Sequence, residues 1–208
     1  LQSSLFPIGE LTKPEVRKLA EDLNLPVAHK KDSTGICFIG ERDFREFLKN
    51  YIPAKNGHMV DIQTKQIVGE HQGIMYYTIG QRKGLNIGGP GDAWFVVGKE
   101  YDENILYVCQ GDQNDWLMSE GALITDVNWI SSLRPEDDFS CTAKFRYRQK
   151  DNDVSVHFVD ETTIYVTFKQ PIKAVTPGQA AVFYNADVCL GGGTIEKVYK
   201  DQKEITYL

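Results

Sequence analysis

Between residues 58 and 200 the chain breaks into ten short runs of β-branched and aromatic residues, each followed by a turn signal. They read HMVDI, IMYYTI, AWFVVGKEY, ILYVCQ, ALITDVNWI, CTAKFRYRQ, VSVHFV, TIYVTF, AAVFYNADVCL and TIEKVYK. Runs of this length and composition fit strands. So many short strands in succession, with no helical pattern between them, are expected to close into small barrels instead of one open sheet. The expected fold class is therefore mainly β with a short α-helical N-terminal segment, built as two consecutive small β-barrel-like domains. The best linker between the two β-units is GDQNDWLMSEG, residues 111–121.

The helical part lies at the start. Thr12 and Glu15 have the spacing of a capping box, Pro14 is tolerated in a first turn, and Val16, Leu19, Ala20 and Leu23 recur at helical spacing. This predicts an amphipathic helix ending near Asn24, ahead of Pro26. Phe44, Phe47, Leu48 and Tyr51 predict a second helix, with Glu41 and Asp43 favourably placed in its first turn and Pro53 closing it.

Composition narrows the function classes. At 208 residues and 41% hydrophobic content the chain can bury a sizeable core. No apolar run approaches the roughly 20 residues needed to span a bilayer, and the N-terminus lacks a signal-peptide pattern. A soluble, cytoplasmic protein with no membrane partner is expected. A formal charge of −6 argues against a protein that coats nucleic acid indiscriminately, while leaving room for a local basic stripe. The chain opens on Leu1, as a fragment or trimmed chain would.

Four cysteines are widely separated and form no C-x-x-C pair, so thiols are expected to be reduced and no zinc site is indicated. Cys109, Cys141 and Cys189 sit in apolar, strand-like runs and read as structural. Cys37 stands apart in KKDSTGICFIGER, between Gly35 and Gly40, near Lys30 and Lys31 and just ahead of a predicted helix. Those neighbours favour a thiolate. A short buried run from Ile36 to Ile39 is the competing reading. The glycine stretches GLNIGGPGD and LGGGT match no phosphate-binding fingerprint and read as turns or bulges. The four histidines show no metal-ligand spacing.

KFRYRQK, residues 144–150, alternates basic and other residues. In an extended strand Lys144, Arg146, Arg148 and Lys150 would share one face at about 6.6 to 6.8 Å per two-residue step, a comb close to phosphate spacing. Phe145 and Tyr147 would occupy the opposite face, Tyr147 being available to stack on a base. A solvated sheet face that discourages aggregation is the alternative.

Taken together, LFPIGELTKPEVRKLAEDLNLPVAHKKDSTGICFIG, HQGIMYYTIGQRKGL, FRYRQ, TPGQAAVFY and CLGGGTIE closely resemble the bacterial tRNA-specific 2-thiouridylases over nearly the whole chain. The resemblance implies three parts: residues 1–52 as the tail of a PP-loop ATPase domain carrying a catalytic cysteine, 53–118 as a central small β-barrel domain, and 119–208 as a C-terminal, tRNA-binding β-barrel. That family's S-G-G-x-D-S phosphate loop and second catalytic cysteine do not occur in this sequence. ATP with Mg2+ would accordingly be bound by an N-terminal domain absent here.

By the same resemblance, Cys37 matches the cysteine that carries a persulfide, loaded by a sulfur-relay donor protein. ATP would activate the C2 oxygen of the wobble uridine by adenylation, and the persulfide sulfur would displace AMP to give 2-thiouridine. Arg146, Tyr147 and Gln179 match tRNA contacts. Two classes stay open for this polypeptide: part of a tRNA sulfurtransferase, inactive alone, or a non-catalytic RNA-binding module that only positions tRNA. An S-adenosylmethionine-dependent methyl transferase is disfavoured, because the glycine stretches do not lie at a strand-to-helix turn of a doubly wound sheet.

Overall fold

A computed structural model describes residues 4–31, 51–52, 55–130, 135, 138–147 and 149–207. The chain divides into two compact units, residues 1–48 and 49–208. In the first, helix α1 (Lys13–Asp22) begins at the expected capping box: the Thr12 N–H and hydroxyl both donate to the Glu15 carboxylate, at 2.7 and 2.6 Å. It ends two residues before Asn24, which takes a left-handed φ of 52°. None of its side chains is buried, and Leu19 and Leu23 are exposed. The second predicted helix and Cys37 lie outside the described residues, apart from Tyr51.

The second unit is the β part. Strands β1 (Gly57–Asp61), β2 (Ile67–His71), β3 (Trp94–Glu100) and β4 (Ile105–Gln110) form a sheet ordered β2-β1-β4-β3, in which β1 and β4 run parallel. Alternation along β3 sends Val96 to one face, with Met59, Leu106 and Val108, and Phe95 and Val97 to the other, with Ile62, Cys109 and Leu117. At the sheet's end His71 is buried. Its Nδ1 accepts from the Gly73 N–H at 3.1 Å, so Nε2 donates to the Asn104 carbonyl at 3.0 Å.

Strands β5 (Met118–Trp129), β6 (Phe139–Lys144), β7 (Asn152–Phe158), β8 (Ile164–Lys173), β9 (Ala180–Asn185) and β10 (Val188–Lys200) close a barrel in the order β5-β8-β7-β6-β9-β10 and back to β5. Inward residues Ile124, Phe145, Val156, Val166, Phe183 and Ile195 fill it. The short β11 (Lys203–Glu204) pairs with the end of β10. The expected fold class holds: mainly β, a barrel preceded by a second small sheet. Of the expected linker, residues 111–117 form a turn and a single 3-10 turn, whereas 118–121 already belong to β5.

Several strand expectations need correction. IMYYTI is a 3-10 turn, Ile74–Tyr76, followed by irregular chain, while β2 lies in a stretch not expected to be a strand. AAVFYNADVCL is two strands, a hairpin turning at Ala186 and Asp187 with Ala186 at φ 49°. LGGGT lies within β10, where register shifts on both flanks mark the bulges that were the other reading of these glycines.

The end of the chain fastens the barrel to the sheet. The Lys99 N–H of edge strand β3 donates to the Tyr207 carbonyl at 2.8 Å, and the Tyr207 hydroxyl donates to the Trp116 carbonyl at 3.1 Å, the two rings meeting edge-on at 5.3 Å. Gly98 permits this approach: a Cβ there would lie 2.1 Å from the Tyr207 carbonyl oxygen.

Candidate nucleic-acid interface

Two loops of the same sequence form, Thr-x-Gly-Gln, fold alike. In Thr78–Gln81 and in Thr176–Gln179 the glutamine N–H bonds back to the threonine carbonyl, at 2.9 and 3.3 Å, and the glycine takes a φ of +78°. That is a type II turn, whose third position demands glycine and whose second favours proline, as at Pro177. Each turn then docks on a strand through the same pair of bonds. Gly80 N–H donates to Val96 and Val96 N–H to Gln81; Gly178 N–H donates to Ile195 and Ile195 N–H to Gln179. One copy thus covers the edge of β3, and the other, docked on β10, leads from β8 into β9.

Arg146 joins the copies. Its Nη2 donates to the Ile79 carbonyl at 2.6 Å in the first turn and to the Thr176 hydroxyl at 3.3 Å in the second, while Nε donates to the Ala174 carbonyl at 3.1 Å. Burial lowers the pKa of this guanidinium from its ordinary value, but arginine keeps its charge in a protein. The half-buried side chain therefore spends its donors on carbonyls of both β-units. Beside it Gly80, Gln149, Lys173 and Ala174 line a cavity of about 410 Å³.

The strand expected over residues 144–150 does not exist. β6 ends at Lys144, the Phe145 N–H bonds to the Gln149 side chain at 3.2 Å, and the Gln149 N–H bonds back to the Arg146 carbonyl at 3.1 Å. The chain turns, Phe145 enters the barrel core and Arg146 reaches back to the Thr-x-Gly-Gln turns, so these basic residues form no extended comb. Arg148 lies outside the described residues. Lys144 instead pairs with Asp151 at 3.4 Å.

Of the expected site residues, Tyr147 is 94% exposed and Gln179 is also exposed. The two glutamines differ in a telling way. Gln81 spends its amide locally, accepting from the Thr78 N–H at 3.0 Å and donating to the Lys83 carbonyl at 2.9 Å. Gln179 makes no side-chain hydrogen bond among the described residues, which leaves a donor and an acceptor for a ligand. Arg146, Tyr147 and Gln179 are thus brought onto two loops tied through Thr176. Ile79, Lys173 and Thr176 complete the arrangement without having been singled out; the repeated Thr-x-Gly-Gln was the signal that could have found Ile79 and Thr176.

Two of the cysteines expected to be structural, Cys109 and Cys141, lie in strands of the two sheets. Burial pushes the Cys109 thiol up to about 12 and the Cys141 thiol up to about 11, values at which neither is a nucleophile near neutral pH. The described residues do not fit ATP. The glycine stretches sit in turns and inside β10, and at the N-terminus of α1 the Thr12 N–H is already taken by the Glu15 carboxylate, which would repel a phosphate.

Three family models match in succession: the tRNA methyl transferase HUP domain over residues 1–41, the tRNA methyl transferase PRC-barrel domain over 45–110, and the aminomethyltransferase beta-barrel domain over 119–195. The fold and this succession define the class of chains in which a HUP-domain match is followed by a PRC-barrel match and a second β-barrel match. Over its whole length the chain is 55% identical to the tRNA-specific 2-thiouridylase MnmA of Bacillus cytotoxicus, and 54% identical to those of Bacillus cereus and Bacillus thuringiensis. The chain belongs to the tRNA-specific 2-thiouridylase family, and it spans 56% of the length of these relatives.

Proposed function

We propose that this chain supplies the sulfur-carrying cysteine and the tRNA-holding barrels of an enzyme that converts the wobble uridine of tRNA to 2-thiouridine. Residues 1–52 would form the end of the nucleotide-binding domain, 53–118 a central barrel-like domain and 119–208 the tRNA-binding barrel. The observation that carries this reading is the display of Tyr147, and of a Gln179 amide with no hydrogen bond among the described residues, on two loops held together by one half-buried arginine. An exposed aromatic ring beside an uncommitted amide suits single-stranded RNA, whose bases stack and hydrogen-bond along their edges. The relatives' names support the substrate.

In this reading Cys37, as a thiolate, attacks the outer sulfur of a donor protein's persulfide. The donor leaves as a thiolate and Cys37 becomes the persulfide. That sulfur replaces the C2 oxygen of the uridine. Activation of the oxygen by ATP with Mg2+ is chemistry supplied by residues beyond this sequence, and the second cysteine that completes sulfur release is also outside it. The site of action is the cytoplasm, where tRNA and reduced thiols coexist.

A second reading, a module that positions tRNA without chemistry of its own, draws on the absence of a nucleophile among Arg146, Tyr147 and Gln179. Two measurements separate them. Cys37→Ser in the full-length enzyme should abolish 2-thiouridine while leaving tRNA affinity intact; product formed at the normal rate would refute the catalytic role. Tyr147→Ala should cost about 1 to 3 kcal/mol of tRNA binding without lowering thermal stability, and unchanged affinity would move the RNA contact elsewhere.

A further inference from the structure

A second concave surface lies beside the loops tied by Arg146. Arg82, Asp92, Phe95, Gln110, Asp112 and Gln113 line a cleft of about 790 Å³ between the loop that follows the first Thr-x-Gly-Gln turn and the loop that follows β4. Lys173 links it to the first cavity: it lines that cavity beside Arg146, forms an ion pair with Asp112 in the cleft wall, and holds its ammonium 4.3 Å from the Phe95 ring centre.

We infer that this cleft is a subsite for one or two unpaired nucleotides of the RNA, a deepening that rests on the tRNA-binding role proposed above. The walls are fixed before any ligand arrives. The Gln110 amide donates to the Pro90 carbonyl at 3.0 Å, the Gln113 amide to Asp112 at 3.2 Å, and the Asn114 amide to the Gln110 carbonyl at 2.8 Å. Those bonds consume amide N–H groups and leave the Gln110 and Gln113 side-chain oxygens as acceptors for the amino and imino groups of a base. Gly91, at φ +99°, keeps the mouth clear, since a Cβ there would lie 2.9 Å from the Gln110 amide.

Charge selects the ligand class. Two cations, Arg82 and the Lys173 paired with Asp112, balance two carboxylates, Asp92 and Asp112, so a free anion gains little here. A base in the cleft, with its flanking phosphate on exposed Arg82, satisfies both kinds of group. The volume falls within the about 300 to 1,000 Å³ of pockets that take small-molecule-sized groups. Entry between two loops requires a base that is not paired in a duplex.

The test uses the full chain with tRNA and with a fully paired RNA duplex of equal length. Arg82→Ala should weaken tRNA binding about tenfold and flatten its salt dependence by about 0.7 to 0.9 in log–log slope. Gln113→Ala should weaken it about threefold with the slope unchanged. Chemical probing should show both variants losing protection at the same one or two unpaired nucleotides, with duplex binding unaffected. Wild-type tRNA binding that both variants reproduce, or a loss equal on tRNA and duplex, would overturn the subsite and leave the tRNA-binding reading standing. No saturable tRNA binding by the wild-type chain would overturn both.

Discussion

Replacing Arg146 with alanine should act first on the architecture and only through it on RNA. The guanidinium makes three hydrogen bonds, to Ile79, Ala174 and Thr176, and no ion pair is seen among the described residues. A charged donor is worth about 1.5 to 3 kcal/mol net, but three bonds from one group do not add, and water can reach part of the vacated site. The Ala174 carbonyl keeps the Thr176 hydroxyl at 3.0 Å, whereas Ile79 loses its side-chain donor. The expected loss is about 2 to 4 kcal/mol, within the range of broken buried networks. For a chain of this size that is roughly 5 to 15 °C in melting temperature. Thermal unfolding followed by circular dichroism measures it, and hydrogen exchange at Gly80, Val96, Gly178 and Ile195 should quicken together, because both turns lose the same anchor. Arg146→Lys should recover part of the loss, one ammonium being unable to span both turns. A variant that melts like the wild type, yet binds tRNA with a salt slope lower by about 0.7 to 0.9, would refute the positioning role and make Arg146 a phosphate contact.

Other outcomes follow from burial and close contact. Alkylation near neutral pH should modify Cys37 well before Cys109 and Cys141, whose thiols titrate near 12 and 11; mass spectrometry showing either strand cysteine labelled first would contradict this. His71 is held neutral by burial, which lowers its pKa in the fold. Its contribution to stability is complete above the unfolded value of about 6.5 and is lost as pH falls through that value toward the folded one. The urea midpoint should therefore drop between about pH 7 and pH 5 in the wild type and drop less in His71→Gln; equal drops would exclude His71 as the cause. Gly98→Ala should lower stability by about 1 to 3 kcal/mol, because a backbone carbonyl 2.1 Å from the new Cβ must move. An unchanged melting temperature would show that the terminal segment is not fastened there.

Much of the architecture was legible because it rests on local chemistry. The Thr12–Glu15 box depends on two residues three apart, and the strands of the barrel alternate as half-buried strands do. Two of the failures share one cause: alternation cannot show where a strand stops. KFRYRQK has a perfect period of two, yet Gln149 caps the Phe145 N–H and turns the chain. AAVFYNADVCL reads as one run because Ala186, an uncommon residue for a left-handed position, supplies the turn. At the candidate interface, Tyr147 was reached through the alternation of KFRYRQK as well as through resemblance and Gln179 through resemblance alone, whereas the partners of Arg146 come from residues 79, 174 and 176, and only the folded chain brings these to it.

The bond between Tyr207 and Lys99 also bears on how the molecule is made. A chain leaving the ribosome at about 5 to 20 residues per second exposes β3 roughly 5 to 20 s before Tyr207 emerges, since about half the chain lies between them. Until then that end of the β3 edge has no strand partner of its own. Lys99 and Glu100 stand at that stretch of the edge, and charged side chains there discourage a foreign strand from adding during the interval. The first Thr-x-Gly-Gln turn, which docks on Val96, is synthesised before β3 and shields the rest.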